Sequence, residues 1–159
     1  MSSMSMEELL EAVRAFDGVH ELAPAEGDGT PETVWGDHFF YYAPDGTVPA
    51  RAQPYATIVT KDQPGDALSD LGPDGRWRVN IHVGRARYTE LTGEDPGSGS
   101  AARDFSAADV VLPHPVYGTL GWVAVVNPGE RTGAAVVALL REAHEDARRR
   151  AARRAGGVP

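Results

Sequence analysis

Arg78, Asn80 and His82 stand at every second position of Arg76-Trp-Arg-Val-Asn-Ile-His-Val83, with Trp77, Val79, Ile81 and Val83 in the places between and beyond them. Period-two alternation is strand geometry, so a guanidinium, a carboxamide and an imidazole share one face of a pleated strand while four apolar side chains share the other. Such a row, joined from neighbouring segments by Tyr42, Lys61 and Tyr117, is suited to hold a small anion or a peptide carboxylate. His82 titrates in the range that proton transfer needs, yet neither a nucleophile nor a partnered carboxylate accompanies it in the sequence. His114 is a further candidate contact, because Pro113 and Pro115 flank it and hold its backbone extended. The plainer readings are a solvated sheet face for the row and a rigid corner for His114.

The elements that must position these residues are readable from periodicity and caps. Ser5-Met-Glu-Glu8 has the capping-box pattern, and Met6, Leu9, Leu10, Val13 and Phe16 follow at three- and four-residue steps, which predicts a helix ended by Asp17-Gly18. A short extended piece spans Val19 to Leu22. Thr33-Val-Trp35 and His38-Phe-Phe-Tyr-Tyr42 read as two strands joined by a Gly36-Asp37 turn, a pair that accounts for Asp37 by turn chemistry alone. Tyr55 to Lys61 is a third strand and Arg76 to Val83 a fourth, separated by a loop from Asp62 to Gly75. A short helix over 84–92 places Tyr88 and Leu91 inward, and Glu94 to Ala102 is a flexible surface loop. Val110 to Leu112 and Leu120 to Val126 are the last strands, joined through His114-Pro-Val-Tyr-Gly118. A helix from about Thr132 to Arg154 buries Val136, Val137, Leu140 and Ala143. Trp35, Trp77 and Trp122 fall on different strands and are expected to pack against the sheet.

This order predicts an α+β fold: a two-layer sandwich of a twisted, mainly antiparallel sheet with the N- and C-terminal helices on one face. The other face is expected to lie open to solvent or a partner. At 159 residues the chain fits a single domain over 1–159, with an ordered core of about 5–150 and a frayed tail over 150–159. The apolar fraction is 42% and no apolar run approaches the ~20 residues of a membrane span, so no membrane association is expected. Without a secretory signal and without cysteine, the composition fits a cytoplasmic protein.

Charge is uneven. From Arg141 to Pro159, six arginines face three carboxylates, a local +3 that leaves −11 on the body out of a net −8. An acidic body repels phosphate backbones, which makes nucleic acid an improbable partner for the domain itself. The tail Arg148 to Arg154 keeps an anionic partner open, although cations at a helix C-terminus also complement its dipole. Signatures of common chemistries are missing: there is no G-x-S-x-G elbow, phosphate loop, His-Glu-x-x-His or calcium loop. Gly97-Ser-Gly99 and Gly118-Thr-Leu-Gly121 read as turns, and no two histidines have ligand spacing within one element, so no metal and no cofactor are expected.

The segments Trp35-Gly-Asp with Phe39-Phe-Tyr-Tyr42, Tyr55-Ala-Thr-Ile-Val-Thr-Lys-Asp62, Arg78-Val-Asn-Ile81 and His114-Pro-Val-Tyr-Gly118 through Trp122 to Asn127-Pro-Gly129 carry a resemblance. They resemble an uncharacterised actinobacterial family, DUF6194, over about Met6 to Arg149. More distantly, the element order is similar to the MmcQ/YjbR-like domains, which implies a compact α+β sandwich akin to the frataxin-like arrangement. A DNA-binding role proposed for that wider group is not matched by this acidic body, and neither resemblance supplies a catalytic residue. The resulting expectation is a non-catalytic binding or accessory module that uses the polar sheet face for a small anionic ligand or a protein partner. Its rivals are an enzyme acting on a small anionic metabolite, with His82 or His114 handling a proton and Arg78 or Lys61 holding charge, and a nucleic-acid-associated regulator working through the Arg-rich tail.

Overall fold

The Arg76–Val83 alternation is realised at the centre of a six-stranded sheet. A computed structural model describes residues 4–48, 51–98 and 103–155. In chain order the elements are α1 (Met6–Arg14), β1 (Val19–Leu22), β2 (His38–Tyr42), β3 (Ala56–Val59), β4 (Arg78–His82), α2 (Arg85–Thr92), β5 (Leu112–Pro113), β6 (Trp122–Val126) and α3 (Gly133–Ala155). The strands lie in the order β1-β2-β3-β4-β6-β5, every neighbouring pair antiparallel. Residues 156–159 of the expected tail, and 99–102 of the expected loop, lie outside the described residues.

Register decides which side chains share a face. Phe40, Ala56, Ile81 and Val123 face one another across four strands, as do Ile58, Val79 and Val125. These point toward α1 and α3, where Leu9, Leu10, Val13, Val136, Leu139, Leu140 and Ala143 close the core. Truncating a buried leucine of this set to alanine costs about 2–5 kcal/mol. The capping box of α1 forms as read, with the Glu8 amide donating to Ser5 Oγ at 3.1 Å and the Ser5 amide to Glu8 Oε1 at 2.8 Å. Gly18 turns the chain out of α1 at φ +83°, and a Cβ there would lie 2.6 Å from Tyr42 Cε1, so both conformation and space require glycine.

Phe39, Thr57, Asn80 and Ala124 share the opposite face, as do Val59, Arg78 and Val126. Two chain segments cover part of this face, one between β3 and β4 and one between β5 and β6. It is therefore not the open surface expected from the sequence. The second segment closes at Gly121, whose φ of +84° is matched by a backbone approach: a Cβ would meet the Gly84 carbonyl carbon at 3.1 Å.

Two strand expectations are corrected. Thr33 to Trp35 is not a strand but part of a 3-10 turn over Glu32–Val34, because Gly36 bonds back to the Pro24 carbonyl and Trp35 Nε1 donates to the Thr30 carbonyl, neither being a ladder bond. The next-to-last strand shortens from Val110–Leu112 to Leu112–Pro113. Just before it, Asp109 adopts φ +58° and its carboxylate accepts from the Gly129, Arg131 and Thr132 amides and from Thr132 Oγ1, tying down the entry to α3. Burial opposes the ionised form of Asp109, yet these bonds outweigh it and hold the pKa at about 2. The long helix matches its expected start to within a residue and runs to Ala155, and among the described residues no helix is long and apolar enough to cross a membrane.

Candidate functional site

The helix-free face of the sheet and its two covering segments enclose a cavity of about 680 Å³. Thr57, Val59, Arg78 and Asn80 form its floor; Gln63 to Asp66 rise on one side, and His114 with Val116, Tyr117 and Leu120 on the other. The mouth is apolar: Val116, Tyr117 and Leu120 are 41, 50 and 64% exposed, unusual for large hydrophobic side chains on a surface turn.

A buried polar cluster occupies one end. Arg78 is 2% exposed, and four of its five guanidinium N–H groups are accepted by protein oxygens. Nε donates to Asn80 Oδ1 at 2.7 Å, and Nη1 donates to Asp66 Oδ1 and Ser69 Oγ, each at 2.9 Å. Nη2 donates to Asp66 Oδ2 at 2.6 Å and lies 3.3 Å from His114 Nε2. Asn80 passes the chain on, its Nδ2 donating to Thr57 Oγ1 at 2.9 Å. The pair with Asp66 is bidentate, and although burial opposes charge on Asp66, the guanidinium holds its carboxyl below the usual range.

His114 is 5% exposed. Its Nδ1 accepts from the backbone amides of Val116 and Tyr117, both at 3.0 Å, so the ring caps the turn that forms the cavity rim. Its own amide donates to the Trp122 carbonyl at 3.0 Å. Burial, reinforced by the charge of Arg78, depresses its pKa to about 4, so the ring is neutral near pH 7. Asp37 also lines the cavity. Rather than serving its own turn, it bridges to the residue after β3, accepting from the Thr60 amide and hydroxyl at 3.0 Å, and burial raises its pKa despite those bonds.

Of the seven residues singled out from the sequence, Arg78, Asn80, His114 and Tyr117 meet at this cavity. Tyr42 does not join them, because its register with Phe40 turns it to the helix face, where its ring lies 5.5 Å from that of His144. Lys61 donates to the Trp35 carbonyl and sits 4.0 Å from Asp37 Oδ1. His82, though it alternates with Arg78 and Asn80, lies at the far end of β4 and lines an adjoining groove of about 560 Å³ beside the end of α3, with Arg51, Arg150 and Arg154; Leu120 and Trp122 border both spaces. Burial, then the charge of Arg150, lowers its pKa. The expected row is thus divided, with Arg78 and Asn80 buried and His82 half-buried, rather than a continuous exposed stripe.

Asp66 and Ser69 were not anticipated as site residues. They come from the loop between β3 and β4, and no spacing rule links position 66 to position 78. The turn-capping acceptor in His114-Pro-Val-Tyr117 was the available signal, since a side-chain acceptor two and three residues before free amides is what caps a turn. Among the described residues no group of three or more His, Cys, Asp or Glu side chains is placed to hold a metal ion.

Compared with protein-family models, residues 4–156 match the one described as "Family of unknown function (DUF6194)". No curated protein and no solved structure matches the chain.

Proposed function

We propose that this chain, which belongs to the DUF6194 family, is a binding module that takes a small molecule into the cavity between the helix-free sheet face and its two covering segments. The observation that carries this reading is the combination of an apolar-mouthed cavity with a fixed, buried polar cluster at one end. Ligand sites commonly combine apolar walls with a few positioned polar groups, and solvated sheet faces do not bury an arginine at 2% exposure. No activated nucleophile adjoins His114 in this cluster, and its ring is occupied at Nδ1 by two amides, so the geometry favours holding over turnover. The test is a fragment screen read by amide chemical shifts, repeated on Val59→Phe, which fills the floor beside Arg78. Binders should perturb Thr57, Asn80, Val116 and Tyr117 in the wild type and lose at least tenfold in affinity in the variant. Binders that map to the helix face, or that ignore the filled cavity, would remove this reading.

A second reading is favoured by the groove at the end of α3. Arg148 and Arg149 pair with Glu145 and Asp146, whereas among the described residues Arg51, Arg150 and Arg154 line the groove without an ion pair. These cations support an anionic partner such as a phosphate backbone, the nucleic-acid-associated role. A duplex shift in low salt that Arg150→Ala/Arg154→Ala abolishes would establish it, and no shift at low salt would end it.

A further inference from the structure

We infer that the cavity is built for an uncharged ligand whose carbonyl-type oxygen bridges His114 Nε2 and Arg78 Nη2. The inference rests on the cavity being the binding site and specifies what enters it. Two backbone N–H groups converge on His114 Nδ1, so that nitrogen carries the lone pair. A neutral imidazole has one N–H and one lone pair, which places the proton on Nε2. Nη2 of Arg78 has no lone pair and lies 3.3 Å from this nitrogen. The contact therefore sets one donor against another: four of the five guanidinium hydrogens reach Asn80, Asp66 and Ser69, while the fifth and the imidazole hydrogen share no acceptor. Both groups border the cavity. Two buried donors left unmatched are costly, and one oxygen seated beside the pair, within hydrogen-bond reach of each nitrogen, satisfies both.

Charge selects the kind of oxygen. The guanidinium is already neutralised by a bidentate carboxylate, with Nη2 to Asp66 Oδ2 at 2.6 Å, and a second carboxylate, Asp37, borders the same space. An entering anion would add a like charge beside these carboxylates without gaining a free cation at Arg78. Protonating His114 to supply one would sacrifice the two rim amides and put a second positive charge beside Arg78. A ketone, amide or lactam oxygen meets both donors at no such cost, and Phe39, Val59, Val116 and Trp122 offer its apolar body a matching wall. This replaces the anionic ligand expected from the sequence, where Arg78 was read without its partner.

The test compares three probes of nearly one shape: acetophenone, which has the neutral oxygen; ethylbenzene, which lacks it; and benzoate, which carries charge. Imidazole 15N spectra of the full chain, with His114→Asn to assign the resonance, are expected to show protonated Nε2 and bare Nδ1 at pH 7. Acetophenone should shift the His114 Nε2–H resonance and bind at least tenfold more tightly than ethylbenzene and than benzoate, and its advantage over ethylbenzene should vanish in His114→Asn. A proton found on Nδ1 overturns the inference, as does benzoate binding as tightly as acetophenone. Equal binding of acetophenone and ethylbenzene with the Nε2–H tautomer intact would also overturn it, since the bridging position then belongs to water. All of these outcomes leave the fragment screen and its Val59→Phe control free to support or remove the cavity reading separately.

Discussion

Two histidines are buried on opposite faces of the same sheet, and they are finished differently. His144, from α3, sits under the helices with Nδ1 3.0 Å from the Tyr55 hydroxyl and Nε2 2.7 Å from the Asp17 carbonyl. A carbonyl only accepts, so Nε2 carries the proton and Tyr55 donates to Nδ1. Both nitrogens are matched, and the rings of Phe16, Tyr42 and Tyr55 pack around them. His114 has the same tautomer imposed on it, but its Nε2 meets another donor. His144 is thus closed on all sides, whereas His114 is held by one nitrogen only, and in the proposed reading its other nitrogen is answered by a ligand.

The contrast breaks most violently at Asp66. Asp66→Ala removes the only carboxylate that pairs with Arg78 among the described residues and leaves a guanidinium that is 2% exposed without compensation. Losing one partner of a buried pair costs about 3–5 kcal/mol. Urea unfolding should register that loss, while the double variant Asp66→Ala/Arg78→Met should recover much of it. A loss under about 1 kcal/mol in the single variant would mean that water already solvates Arg78 and that the cluster is not dry.

Acid separates His114 from the background. Its folded pKa, about 4, lies below the ordinary histidine value of 6.5. Between those values the unfolded chain binds a proton that the native ring refuses, so falling pH favours unfolding. The neutral ring's contribution is thus complete above about pH 6.5 and declines as pH drops toward 4, by up to about 1.4 kcal/mol per pH unit and about 3 kcal/mol across the window. His114→Asn cannot titrate and should lack this component, so the difference between the two stability curves isolates it. Parallel curves from pH 7 to 4 would show that the ring is accessible to protons.

How much of this was legible before the structure follows from the range of each interaction. The capping box of α1, the alternation of β4 and the inward stripe of α3 are local patterns, and each appears where its spacing placed it. The pairing of Asp66 with Arg78 spans 12 residues, and that of Arg78 with His114 spans 36, with no periodicity to announce either. Alternation put Arg78 and Asn80 on the right face but could not say that loops would roof it, nor that His82, two residues on, would fall beyond the roof. Asp37 misled for a related reason, since a Gly-Asp pair suggests a local turn while its carboxylate reaches Thr60, 23 residues away.

The finest test of the contrast replaces each histidine with asparagine, whose side-chain oxygen can occupy the place of Nδ1 while nothing occupies that of Nε2. In His144→Asn the Asp17 carbonyl loses its donor and three aromatic rings lose their neighbour, so a destabilisation of about 2 kcal/mol is expected. In His114→Asn the oxygen continues to accept from the Val116 and Tyr117 amides, the lost ring volume opens into an existing cavity, and a donor–donor contact disappears. The change at pH 7 should be below about 1 kcal/mol, with the advantage of acetophenone over ethylbenzene lost all the same. Equal destabilisation by the two substitutions would place His114 with His144 as a structural residue and dissolve the distinction between the faces. A small cost at 114 beside a large one at 144 is what a sheet with one face for folding and one for holding requires.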